Sequence, residues 1–447
     1  MTERQLTFAE HGHILTNINV WSPDSQRIVY DVRSDASGSV FDGRRIETVD
    51  IVTGEIRVLY GATHGPNPRP LPLEGRGEGA CCGVATFVPQ PAAQRDGTVV
   101  FIRGPENPTA DWQYNAYHRE GVTVRESAPG IAVNLDARDI VPPFTPGALR
   151  GGTHVHVFSG DGKWVSFTYE DHVLARFSDE NAEHEINLRT VGVSVLGSSV
   201  AVPKTHPRNH DGEAFSVLAV RVMAHPRPGS DEIRRAVEDA WVGSAGYRRS
   251  DGSRQTRALA FQGEVLLEDG RASWEVFVVD LPEDVTVAGD GPLEGTPTRR
   301  PLPPRGTAQR RLTFSGAKKF PGIQGPRHWL RSSPDGSQIA FLMRDDAGVV
   351  QLFCVSPQGG ALRQITRNAS SIASAFSWSP DGRRIAHVMD GSVCVTRVES
   401  GETVRLTQRA EGELAPRPEA CVFSPDGNWI AYVKRVATFN QVFICKA

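Results

Sequence analysis

Three stretches toward the C-terminal end repeat one phrase. Ser333-Pro334-Asp335-Gly336 precedes Gln338-Ile339-Ala340-Phe341, Ser379-Pro380-Asp381-Gly382 precedes Arg384-Ile385-Ala386-His387, and Ser424-Pro425-Asp426-Gly427 precedes Trp429-Ile430-Ala431-Tyr432. Pro334, Pro380 and Pro425 stand 46 and 45 residues apart, the period of a four-stranded propeller blade. The chemistry fits that reading. Proline presets φ, Asp-Gly closes a tight turn, and the β-rich run that follows forms the returning strand. Regular placement makes Asp335, Asp381 and Asp426 turn formers rather than catalytic acids.

Looser copies occur upstream: Trp21-Ser22-Pro23-Asp24, Phe87-Val88-Pro89, Phe158-Ser159-Gly160-Asp161-Gly162 and His210-Asp211-Gly212. Seven copies predict an all-β chain, one seven-bladed β-propeller domain over residues 1–447. A second phrase marks each outer strand: Arg310-Arg311-Leu312-Thr313, Arg363-Gln364-Ile365-Thr366 and Val404-Arg405-Leu406-Thr407. It recurs at Arg4-Gln5-Leu6-Thr7, where no blade precedes it, while the last blade lacks it. Residues 4–8 are therefore expected to complete the last blade and close the ring, which leaves no unpaired terminal blade. The excess length falls in insertions near 61–80, 223–273 and 283–306. The first is rich in Pro, Gly and charge, as loops are. In the second, Ser230 can cap a short helix, with Ile233, Ala236, Val237, Ala240 and Trp241 at helical spacing. A short helical insertion in blade four is the expectation.

Net charge is −3 and no basic stripe is visible, so no nucleic-acid partner is expected. No run approaches the roughly 18 apolar residues of a membrane span. The N-terminus lacks a basic segment followed by an apolar run, which predicts a cytoplasmic protein. The six cysteines show no CxxC or zinc-type spacing and read as reduced thiols. No Gly-x-Ser-x-Gly elbow or phosphate loop is present.

The Ser-Pro-Asp-Gly repeat resembles the propeller of TolB-like proteins over essentially the whole chain. More narrowly, Gly104-Pro105-Glu106-Asn107-Pro108, Gly152-Thr153-His154-Val155-His156, Arg208-Asn209-His210-Asp211-Gly212 and residues 243–262 resemble the bacterial YidR-type family, a resemblance that implies no established activity. A more distant likeness is to oligogalacturonate lyases, propellers that hold manganese with three histidines and a glutamine. Their Gln-x-x-His-x-His pattern is similar to His154 and His156 here, but the glutamine position falls on Gly151.

In a propeller the first strand of each blade lines the central channel. Six residues before each proline position stand Asn17, Gly83, His154, Lys204, His328, Ser374 and Glu419. Four before stand Asn19, Ala85, His156, His206, Leu330, Phe376 and Cys421. His154, His156, His206, His328 and Glu419 at one mouth would suit a divalent metal such as Mn, Fe, Ni or Zn. Lys204 or His210 would then serve as general base. His11 and His13, ahead of the first inner strand, read as a surface loop. Two functions stay open. One is a binding or scaffolding module that presents one face and the channel mouth to a protein, peptide or carbohydrate. The other is a metal-dependent, lyase-like enzyme for an acidic oligosaccharide or small acid.

Overall fold

A computed structural model describes residues 3–33, 41–61, 81–89, 97–326 and 329–447. Seven four-stranded antiparallel sheets are arranged as blades. The first strands of the blades run through Gly12–Ile14, Cys81–Phe87, Gly151–Phe158, Ala236–Trp241, Arg331–Ser332, Ser377–Trp378 and Pro416–Phe423. Glu3–Gln5 pairs with Phe439–Lys446 as the outer strand of the seventh blade, with Arg4 opposite Ile444. Leu6 N extends the ladder to Val442 O at 2.8 Å. The ring is closed as expected.

The repeated turn is held by its own side chains. Ser333 Oγ donates to Asp335 Oδ1 at 2.6 Å, which also accepts from Ser337 N at 3.0 Å. Gly336 has φ +74°, a conformation that other residues adopt only with strain. The Ser379–Asp381 and Ser424–Asp426 turns repeat the arrangement. Buried apolar clusters lie between neighbouring blades rather than within them. Val20, Trp21 and Ile28 of the first blade pack with Val422, Val433 and Ile444 of the seventh. Indole N–H groups tie the blades at the same level: Trp21 Nε1 to Val422 O (3.0 Å), Trp378 Nε1 to Arg331 O (3.0 Å) and Trp241 Nε1 to Val157 O (2.9 Å). Each satisfies a buried donor and fixes one blade against the one before it.

The fourth blade departs from the expectation. Ala236–Trp241 is its innermost strand and Ala258–Leu266 its second, so residues 223–273 carry blade strands and not a helical insertion. The described residues contain no α-helix, only three single-turn 3₁₀ segments. The blade's inner turn runs through Gly243, where φ is +64° and an added Cβ would stand 2.5 Å from Gly246 O. His210-Asp211-Gly212 instead enters the outer strand of blade three, Gly212–Leu218. The excursion at 283–306 is pinned to blade three, where Arg150 Nη2 donates to Arg299 O (2.7 Å) and Arg300 Nε to Glu185 (2.8 Å). Of the insertion near 61–80, residues 62–80 lie outside the described residues.

Candidate functional site at the channel mouth

The two ends of the channel differ in chemistry. The end ringed by the Ser-Pro-Asp-Gly turns opens into a cavity of about 490 Å³ with walls from Trp241, Trp378, Phe158 and the turn prolines. The opposite end holds a polar cavity of about 270 Å³, lined by Thr16, Asn17, Arg119, His154, Trp329 and Glu419, among others. Arg331 lines the first cavity and donates to the Asn17 carbonyl oxygen Oδ1 of the second, so a buried hydrogen bond joins the two linings.

Backbone distortion aims the side chains. The first strands of blades two to four each hold one non-glycine residue in the left-handed region, Val84 (φ 59°), Val155 (φ 55°) and Glu238 (φ 57°), and Asn19 (φ 52°), after the first strand of blade one, does the same. In blades two to four the pairing register jumps there, between Gly83 and Thr86, His154 and Val157, and Val237 and Ala240. Such a bulge adds one unpaired residue and turns the next side chain away. It costs roughly 1–2 kcal/mol at a non-glycine position.

The bulge at Val155 separates two histidines that a regular strand would aim alike. His154 faces the polar cavity. His156 is buried toward blade two, where a Cβ added to Gly121 would stand 2.4 Å from His156 Nε2 and 2.6 Å from Asp136 Oδ1. Burial holds the His156 imidazole neutral, down to about 3. His154 is also held neutral, first by burial and then by the positive charges of Arg119 and Arg189.

Of the remaining expected residues, Glu419 lines the cavity with His154. Its nearest cation is Arg417, at 3.7 Å. His206 does not join them, because the loop before Gly212 belongs to the outer edge of blade three. There His206 Nδ1 accepts from Arg208 N at 3.1 Å. Lys204 is exposed and paired with Asp211. His210 packs 3.8 Å from the buried Glu120 carboxylate and is lowered to about 4, chiefly by burial. Neither Lys204 nor His210 lines the cavity. His328 lies outside the described residues. Among the described residues, which exclude His328, no three His, Cys, Asp or Glu side chains converge as metal ligands. His13 is no surface loop: it is fully buried, its Nδ1 2.8 Å from Asn440 O. All six cysteines are free and buried, and burial pushes the Cys81 thiol up to about 12.

Sequence reasoning missed Arg119, Trp329 and the Asp31–Arg33 pair, whose Arg33 Nε donates to Asp31 Oδ2 at 2.6 Å. Arg119 ends the long connection between the second and third strands of blade two, Val99–Gly104 and Glu120–Arg125. The length of that connection was the available signal. Four polar atoms of the cavity's residues are buried without a partner among the described residues: Thr16 Oγ1, Asp31 Oδ1, His154 Nδ1 and Glu419 Oε2.

Comparisons with known proteins agree with this architecture. A family described as a protein of unknown function, DUF3748, matches residues 81–210, which include Arg119 and His154. The uncharacterised protein YidR of Escherichia coli (strain K12) is 45% identical over 435 residues, covering 96% of this chain and 94% of that one. Among solved structures, an oligogalacturonate lyase in complex with manganese is similar with a TM-score of 0.54 at 11% identity, over 99% of this chain and 92% of that one. An oligogalacturonate lyase from Vibrio parahaemolyticus gives 0.53 at 10% identity, over 99% and 93%. At these identities the likeness is one of fold.

Proposed function

We propose that this chain, which belongs to the YidR family, is a binding module that takes a small hydroxyl-bearing ligand into the polar mouth of its channel. The observation that carries the reading is the meeting of Thr16 Oγ1, Asp31 Oδ1, His154 Nδ1 and Glu419 Oε2 at one cavity, each buried and without a partner among the described residues. Buried polar atoms are nearly always satisfied, and four exceptions around one cavity are what a polar ligand would satisfy. The Trp329 and Phe41 side chains add apolar surface to the same walls. That mixture of ring faces and a few convergent polar groups is usual for small-molecule sites. A volume of about 270 Å³ suits a ligand of monosaccharide size better than a folded protein partner. The six buried free thiols fit a reducing compartment, and a cytoplasmic place for the module belongs to the proposal.

Saturation-transfer NMR on the full chain with a panel of neutral and charged monosaccharides tests the reading. At least one sugar is expected to receive saturation, and Glu419→Gln together with Thr16→Val is expected to reduce it. Saturation that is absent for every sugar, or unchanged in the double variant, would remove the mouth as a binding site.

A further inference from the structure

Resting on that reading, we infer that the ligand of the polar mouth is an anion, a small hydroxylated molecule whose carboxylate or phosphate group is gripped by Arg119. The charges of the cavity carry the argument. Two arginines line it, Arg33 and Arg119. Arg33 is committed to Asp31, with its Nε 2.6 Å from Oδ2. The other lining carboxylate, Glu419, has Arg417 beside it at 3.7 Å. Arg119 pairs with no carboxylate among the described residues. Its Nε donates to the neutral Tyr114 hydroxyl at 2.8 Å, and its Nη2 donates to the same oxygen. The guanidinium carbon lies 5.3 Å from the Phe41 ring centroid and 5.2 Å from that of Tyr114. These contacts orient the side chain without neutralising it.

With Arg417 counted beside Glu419, the described residues at the mouth carry three arginines against two carboxylates, and the surplus positive charge, left on Arg119, sits in a partly walled cavity where water screens it less than at an open surface. The neighbouring imidazole reports the same field. Beyond burial, the positive charges of Arg119, Arg189 and Arg33 each disfavour protonation of His154. A neutral His154 adds no second charge, and its unpartnered Nδ1 serves a ligand hydroxyl. The guanidinium, fixed beside the stacked Phe41 and Tyr114 rings, keeps N–H donors beyond those given to Tyr114, and such donors bind carboxylate and phosphate by charge-assisted hydrogen bonds.

Isothermal titration calorimetry on the full chain with glucose, glucuronate and glucose 6-phosphate tests the inference, since the three share one hydroxylated frame and differ in charge. One or both anions are expected to bind at least about tenfold more tightly than glucose. Arg119→Met is expected to weaken anion binding about ten- to a hundredfold, the loss usual for a charge-assisted contact. Arg119→Lys, which keeps the charge, is expected to retain part of it, with circular dichroism confirming that both variants are folded. The better of the two anions identifies carboxylate or phosphate as the recognised group. Glucose binding as tightly as both anions, or anion affinity unchanged in Arg119→Met, would overturn the inference. If glucose alone binds and Glu419→Gln abolishes it, the binding module survives and the anion does not. No binding of any of the three overturns both.

Discussion

Glu120 offers the sharpest test of how blades two and three are held together. Its side chain is 0% exposed, and Arg138, which donates from Nη1 to Oε1 at 2.9 Å, is 2% exposed. Arg103 Nη2 donates to Oε2, also at 2.9 Å. Burial alone would push the Glu120 carboxyl up, but Arg138, then His210 and Arg103, hold it at about 2 against an ordinary 4.5. A carboxyl that titrates lower in the folded state stabilises it above the unfolded value. That contribution fades as pH falls from about 4.5 toward about 2. Its size is about 3 kcal/mol. Breaking the network from the other direction gives a similar figure, because an unpaired buried arginine costs about 3–5 kcal/mol. Glu120→Ala is therefore expected to lower stability by about 3–5 kcal/mol at pH 7. Most of that penalty should be gone near pH 2, where the wild-type carboxyl is itself half protonated. Urea unfolding followed by tryptophan fluorescence at pH 7 and at the lowest pH where both proteins still fold measures both quantities. A cost below about 1 kcal/mol at pH 7, or one that does not shrink with acid, would refute the assignment of this network as a charge-dependent clamp.

Asp136 should behave in the opposite sense. Burial, the largest influence, raises its carboxyl to about 7, so the folded state favours the protonated form and loses stability as pH rises from about 3.8 to about 7. Asp136→Asn is expected to stabilise the protein by about 2–4 kcal/mol at pH 8 and to have little effect at pH 4, read from melting temperatures across that range. Ring closure gives the remaining test. Deleting residues 1–8 removes the outer strand of blade seven, the Glu3 contact to Lys434 (2.8 Å) and the buried Leu6 and Thr7. The truncated chain is expected to melt at least about 10 °C lower and to associate through the bared strand edge, measured by calorimetry and light scattering.

The ring was legible because its stabilising chemistry is local. In blades three, five, six and seven a serine, an aspartate and a glycine within four residues lock the turn through side-chain hydrogen bonds and one left-handed φ, so the phrase is written into the sequence there. The outer-strand phrase was equally readable, and its appearance at Arg4 located the closing strand before any blade was seen. The inner turn of blade four was invisible for the converse reason. Gly243-Ser244-Ala245-Gly246 makes the turn with neither proline nor aspartate, while His210-Asp211-Gly212 imitates the phrase at an outer hairpin.

One physical cause lies behind both the false helix and the scattered histidines. Strand residues two apart face the same way, and that alternation was the rule used to gather His154 with His156. A bulge breaks it. At Glu238 the extra residue lets Ala236, Asp239 and Ala240 all be buried in one strand, a spacing of three and then one that reproduces a helix face. At Val155 the same distortion sends His154 to the cavity and His156 into the contact between blades. Neither Glu238 nor Val155 favours a left-handed φ, so no residue type announces the bulge as a glycine or asparagine would. The distortion is imposed by the ring and repeats at Val84, in the neighbouring blade. A channel-lining position here is therefore read correctly only by counting one residue across the bulge. The first strands of blades three and seven supply polar side chains to the mouth, His154 and Glu419, Thr16 and Asn17 follow the first strand of blade one, and Arg119 comes from a connection outside the repeat.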